Sequence, residues 1–256
     1  MGEHFLCIHY GEYQMEVAIA YWKLSPTMSA QLSIWLRSYL LPGSERQEKN
    51  YSKGFAYGCL YEIPIPNITL DTTFTPEQEK TVLIELFNQT EGPGWNNKTN
   101  WRNNTVSHCL WYGVTCDNTS HSYVISLSLV QNNLRGTLPK NLWKLRNLQG
   151  LCIYGNSRLS GKVDEVLSAN MTALLRLDLA FNRLSGTIPG EILPKMKSLV
   201  KIQLCCQMGE GLSGGLPKDV GNLTELQVIS LGQNQINGSI PQSLSLIHIW
   251  RCRRRG

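Results

Sequence analysis

Little in this 256-residue chain is charged, and nowhere is it apolar for long. Asp, Glu, Lys and Arg make up 17% of it, against roughly 25% in an average soluble domain. No stretch reaches the roughly eighteen continuous apolar residues that a membrane span requires. No secretory leader is legible, since Met1 is followed by Glu3 and the apolar run over residues 17–22 is short and late. Neither a nucleotide-binding loop nor a catalytic triad nor a metal cluster survives inspection, so no enzyme activity and no cofactor are expected within these residues. The net charge of +5 owes most of its excess to the last few residues and forms no basic stripe.

What is present points to a secreted, turn-rich protein. An apolar share of 42% suffices for a sizeable core. The glycosylation sequon N-x-S/T occurs at Asn67, Asn88, Asn97, Asn103, Asn118, Asn170, Asn222 and Asn237, where chance would supply about three. Such sites are used only in the secretory pathway, so an extracellular or cell-surface location is expected. A partial or misassembled start reconciles the sequons with the unreadable leader.

Residues 1 to about 70 keep no sustained period of 2 or 3.6 and predict no particular fold. A helix start is then well marked: Thr75 as cap, Pro76 in the first turn and Gln78 completing a T-x-x-Q box. Val82, Leu83, Leu86 and Phe87 carry helical spacing, and Gly92-Pro93-Gly94 ends it. A loop with Trp95 and Trp101 leads to a compact segment between Cys109 and Cys116. With His108 and His121 close by, those cysteines offer either half of a zinc site or a disulfide. The eight-cysteine set also includes Cys152 and the neighbours Cys205 and Cys206, which read as surface thiols because no base or acid motif accompanies them.

The dominant feature is self-similarity. L-x-L cores recur at Leu127-Ser-Leu129, Leu151-Cys-Ile153, Leu177-Asp-Leu179, Ile202-Gln-Leu204 and Ile229-Ser-Leu231. Their second apolar residues, 129, 153, 179, 204 and 231, are separated by 24, 26, 25 and 27 residues. Each core places two apolar side chains on one face of a short strand, and only stacking of successive repeats buries them. Asn132, Asn156, Asn182 and Asn234 follow, and each has an amide that both donates and accepts; it is expected to satisfy the backbone of its own and the next repeat. Gly then allows a tight turn, and Pro fixes the return path.

The segments Leu134-Arg-Gly136-Thr-Leu138-Pro139, Leu184-Ser-Gly186-Thr-Ile188-Pro189 and Ile236-Asn-Gly238-Ser-Ile240-Pro241 resemble the L-x-G-x-I-P signature of plant-type leucine-rich repeats. The stretch around Cys109–Cys116, with the helix and tryptophan loop before it, resembles the N-terminal cap of that family. The resemblance covers about residues 72 to 244. It implies an α/β repeat solenoid, a right-handed superhelix with a parallel concave sheet and an N-terminal helical cap, and it implies that Cys109 and Cys116 are paired. The expected division is residues 1–71 unassigned, 72–120 cap, 121–243 five repeats and 244–256 a tail. That tail resembles the translation of a sequencing adapter, with a nominal stop codon read as Trp250. The basic residues Arg251, Arg253, Arg254 and Arg255 are therefore not read as a nucleic-acid site, and the native chain is expected to continue past Ser243.

Two repeats depart from the pattern. The second carries Val163-Asp164 in place of I-P. The fourth, running from Leu204 to Leu212, shows no turn Asn, so an interrupted ladder of Asn hydrogen bonds is expected there. Outward positions of repeats two to four, Tyr154, Arg176, Asp178, Phe181, Lys201 and Gln203, combine aromatic and charged residues in the manner of a binding surface. The resemblance implies a non-enzymatic receptor-type recognition module for a protein, peptide or carbohydrate ligand, attached to a membrane only through a missing C-terminal part. A secreted inhibitor of cell-wall-degrading enzymes and an adhesive solenoid are the alternatives.

Overall fold

The computed structural model describes residues 69–237 together with Ser239, Pro241 and Ser243. The sequon at Asn67, nearly all of the unassigned segment and the tail over 244–256 lie outside the described residues.

Helix α1, Pro76–Gln89, begins as its sequence dictates. The Gln78 backbone N–H donates to Thr75 Oγ1 at 3.3 Å, and the Thr75 N–H donates to Gln78 Oε1 at 2.8 Å, so two otherwise orphaned donors are satisfied reciprocally. Its buried face, Val82, Leu83, Leu86 and Phe87, meets a cluster of tryptophans. The ring centres of Phe87 and Trp95 lie 5.1 Å apart, those of Trp95 and Trp101 4.8 Å, and those of Trp101 and Trp111 5.1 Å. Trp95 Nε1 donates to Thr90 O and Trp101 Nε1 to Tyr112 O, each at 2.9 Å, so these rings are buried with their N–H groups paired.

Strand β1, Val114–Cys116, turns antiparallel onto β2, Val124–Ser128. From there the sheet is parallel: β2 pairs with β4, Gly150–Cys152, then β6, Arg176–Asp178, then β7, Lys201–Gln203, then β9, Val228–Ser230. The register sets Leu127, Leu151, Leu177, Ile202 and Ile229 in one column, none more than 5% exposed. Leu129, Ile153, Leu179 and Leu204 form a second column just as deeply buried. Each such side chain is worth roughly 1.5–3 kcal/mol on burial, and a single repeat could bury none of them.

Short ladders run along the flank, β3 (Arg135–Thr137) with β5 (Arg158–Ser160) and β8 (Ser213–Gly214) with β10 (Gln235–Ile236). Bridges Lys162–Ser185 and Thr187–Ser213 join them. Gly136, at φ 80°, lies so close to the end of α1 that an added Cβ would come within 2.3 Å of Gln89 O. Glycine is thus required both for the left-handed backbone and for docking the cap. In the second repeat the unexpected Val163-Asp164 opens α2, Val163–Val166, and Asp164 Oδ1 accepts from Thr187 N at 3.0 Å, tying that turn to the next repeat.

Candidate functional site: the concave face and its turn ladder

The edge of the sheet is built by one repeated device. Each strand passes through two residues, the second of them left-handed, before reaching an amide side chain: Gln131 (φ 49°), Gly155 (75°), Phe181 (54°), Cys206 (62°) and Gln233 (54°). Asn156 Oδ1 then accepts from Asn132 N at 2.9 Å and Leu134 N at 3.0 Å, while its Nδ2 donates to Leu129 O at 3.0 Å and Tyr154 O at 3.2 Å. Asn182 repeats the pattern one step along, with Oδ1 accepting from Asn156 N and Nδ2 donating to Ile153 O and Leu179 O. The amides therefore serve their own and the preceding repeat, where the following repeat had been expected. The reason is geometric: the turn lifts each amide back over the strand already laid down.

The expected break at the fourth repeat does not occur. Gln207 occupies the ladder position, with Oε1 accepting from Leu184 N at 3.0 Å and Nε2 donating to Leu179 O at 2.8 Å and Leu204 O at 3.1 Å. One extra methylene lets the side-chain amide reach the equivalents of the Leu134 N–H and the Leu129 carbonyl that Asn156 bonds. The longer turn is absorbed just beyond it, where Gly209 and Gly211 take φ of 103° and 70°. Asn234 then resumes the ladder by accepting from Leu212 N at 2.9 Å. At the other end, Asn132 Nδ2 donates to Asn97 O and Asn132 Oδ1 accepts from Asn97 N, so the ladder is anchored in the cap.

Four of the six candidate surface residues fall on the adjacent strands β6 and β7 in matched register, and Tyr154 and Phe181 lie in the turns just past β4 and β6. Arg176 stands beside Lys201, and Asp178 beside Gln203; the rings of Tyr154 and Phe181 meet edge to face at 6.3 Å. They are not equally open. Phe181 is 40% exposed and Gln203 half-buried, whereas Tyr154, Arg176, Asp178 and Lys201 are buried and engaged. Burial raises the Asp178 carboxyl to about 6, against the opposing effects of the Ala180 N–H and the Lys201 ammonium.

Cys109 and Cys116 are joined by a disulfide, their Cα atoms 5.5 Å apart. His108, Cys109 and Cys116 lie together, but with both sulfurs bonded to each other they present no thiolate pair, and His108 Nε2 lies 3.0 Å from Ser122 O. Burial lowers the His108 imidazole below its usual range. Cys152 is fully buried and disulfide-bonded, which corrects its reading as a surface thiol; a small apolar sulfur on a packed strand is readily enclosed. Cys205 and Cys206 are free and half-buried.

Two residues that sequence patterns passed over hold the cap. Asp117 accepts from the backbone of Thr119, Ser120, Ser122 and Tyr123 and from the hydroxyls of Thr119 and Ser120. Although burial opposes it, this ring of donors, led by Tyr123 N, holds its carboxyl far below the ordinary range. The run Asp-Asn-Thr-Ser is the signal that could have found it. Glu79 lies on the buried face of α1, where Oε2 accepts from Val124 N at 2.8 Å and Oε1 finds no partner. Burial raises it to about 7, partly offset by that N–H, with the Asp117 charge adding to the rise.

Cap, continuous ladder and parallel sheet together define a capped leucine-rich repeat solenoid. The family described as "Leucine rich repeat N-terminal domain" matches residues 76–117, and "Leucine Rich Repeat" matches 173–194 and 225–247. The BIR2 ectodomain from Arabidopsis thaliana superposes with a TM-score of 0.58 at 30% identity, over 65% of this chain and 85% of that one. A chain of the BIR3–SERK2 complex from the same plant gives 0.54 at 32%, over 64% and 86%. Receptor-like protein 7 of Arabidopsis thaliana is 35% identical over 121 residues, 47% of this chain and 12% of that protein. The chain belongs to the plant-type leucine-rich repeat family of receptor-kinase and receptor-like protein ectodomains. It spans between 6% and 16% of the length of curated relatives such as EMS1 and phytosulfokine receptor 1.

Proposed function

We propose that this chain is the recognition part of a cell-surface or extracellular receptor and binds a protein or peptide ligand on the concave side of repeats two to four. The carrying observation is Phe181, a large aromatic left 40% exposed on the concave rim. Its ring meets Tyr154 edge to face, and it follows the strand that sets Arg176 beside Lys201 and Asp178 beside Gln203. Exposed aromatics beside ordered charge are the usual anchors of protein interfaces. The described residues are spent on cap and repeats, and none of the described helices is long and apolar enough to cross a membrane. A cleft on the cap is lined by Glu77, Lys80, Ser107 and His108, where His108 Nε2 lies 3.0 Å from the Ser122 backbone carbonyl. The relatives named as receptor kinases and receptor-like proteins support the same reading.

The test is to pan a displayed random-peptide library over the immobilised chain and to measure the enriched peptides against variants. Phe181→Ala is expected to weaken binding about tenfold or more, and Gln203→Ala to weaken it less. Lys140→Ala and Lys162→Ala, on the convex side, should leave it unchanged. Peptides held equally by Phe181→Ala and the parent would remove the concave site from consideration.

A further inference from the structure

Cys205 and Cys206 occupy the two turn positions between Leu204 and the ladder residue Gln207, where other repeats carry Tyr154-Gly155 and Ala180-Phe181. Among the described cysteines these two alone are free. Cys206 lies in the left-handed region, at φ 62°, both thiols are half-buried, and hydrogen bonding from the Cys206 side chain acts on the Cys205 thiol. Ser230 of the next repeat also hydrogen-bonds that sulfur.

We propose that Cys205 and Cys206 form a redox-active vicinal dithiol that exchanges with small-molecule disulfides of the glutathione class, cycling between two thiols and a disulfide linking the adjacent residues. The Cys205 sulfur, as thiolate, attacks one sulfur of the small disulfide. An S–S bond breaks, one thiolate leaves and takes up the Cys205 proton, and a mixed disulfide remains. The Cys206 sulfur, giving up its proton, then attacks the Cys205 sulfur, closing the protein disulfide and releasing the second small thiol. Two protein thiols are oxidised and one small disulfide is reduced to two thiols. The division of roles follows from the hydrogen bonds. Those from Cys206 and Ser230 lower the Cys205 thiol below its ordinary range despite burial and the facing Asp178 carboxylate. The donated proton, burial and Asp178 hold Cys206 above it.

Geometry makes this a switch rather than a staple. Consecutive Cα atoms stand about 3.8 Å apart across a trans peptide, closer than the roughly 4.4–6.8 Å of ordinary disulfides, and bonds forced from that range are more easily reduced. Closing the ring must twist the peptide between the two residues. That peptide's carbonyl, Cys205 O, accepts from Phe181 N at 3.1 Å and Gln207 Nε2 at 3.3 Å, and its N–H, on Cys206, donates to Gly232 O at 2.8 Å. Oxidation would therefore loosen the backbone beneath Phe181. The redox chemistry itself stands whether or not Phe181 contacts a ligand.

The test equilibrates the full chain in glutathione buffers of graded reduced-to-oxidised ratio, quenches in acid, alkylates and maps peptides. Cys205 and Cys206 are expected to lose alkylation together and regain it together on return to reduced glutathione. Cys206→Ser should accumulate glutathione on Cys205, and Cys205→Ser should leave Cys206 largely unmodified under the same conditions. Amide exchange at Phe181 and Cys206 should quicken several-fold on oxidation. Independent alkylation of the two residues at every ratio, or equal glutathione capture by both single variants, overturns the proposal.

Discussion

Glu79 sets a pH dependence that a single substitution isolates. Its carboxyl titrates near about 7 in the fold, against an ordinary value of 4.5, so between those values the folded chain holds a proton that the unfolded chain has lost. Stability from this group is therefore greatest below 4.5 and declines as pH rises toward about 7, a change on the order of a few kcal/mol. His108 opposes it: held neutral by burial, it favours the fold above the ordinary imidazole value of 6.5 and loses that contribution as pH falls through it. Glu79→Gln removes only the first effect, because the amide oxygen still accepts from Val124 N. The variant should melt several degrees higher than the parent at pH 8 and almost level with it at pH 4. A constant offset at both pH values would show that the carboxyl is not the titrating group.

At the scale of elements, the ladder carries the cooperativity between repeats, and Gln207 tests it where the sequence pattern is weakest. Gln207→Ala strands the Leu184 N–H in a buried place, while the Leu179 and Leu204 carbonyls keep Asn182 Nδ2 and Asn234 Nδ2 as donors. At roughly 1–3 kcal/mol for an unpaired group, chemical denaturation should register a loss of at least a kcal/mol or so. Gln233→Ala, at an exposed turn position, should cost little; equal losses would strip Gln207 of its place in the ladder. The cap disulfide invites a simpler check, since Cys109 should resist alkylation until reduced, as its bond to Cys116 requires. The repeats were legible because a leucine column needs the same residue type every turn of the solenoid, and the α1 start because its capping box is local. Gln207 escaped because a Gln for Asn exchange and a lengthened turn hide the period while preserving the chemistry. Glu79 escaped because its partner lies 45 residues away, a distance over which no local pattern carries information. The candidate surface was legible as a line of outward positions, but the burial of Arg176, Asp178 and Lys201 within it depends on packing that alternation alone does not reveal.

For the whole molecule the question is which face is left open for a partner, and the sequons bear on it. Asn88, Asn103, Asn118, Asn170, Asn222 and Asn237 are exposed, and Asn97 is half-buried. None of these lies in the strands β2, β4, β6, β7 or β9 that line the concave side. Asn170 and Asn222 each stand nine residues before the second apolar residue of their core, Leu179 and Leu231, so they occupy the same place two repeats apart, on the approach to the strand. Asn97 differs in being half-buried, with its backbone carrying the first rung of the ladder; its side-chain bonds to Thr99 are shared in kind by Asn103 and Thr105. Glycans at the exposed positions would coat the cap and the outer turns and leave the sheet bare. Expressed in a secreting plant or insect host, the chain should carry sugar at several of these six sites, read by enzymatic release in heavy-oxygen water and peptide mapping, with Asn97 the least occupied of the seven. Trimming those glycans from the folded protein should leave peptide binding at Phe181 within about twofold, a difference of roughly 0.4 kcal/mol. A large gain in binding after trimming would mean that a glycan overhangs the concave side, and the proposed contact surface would have to move.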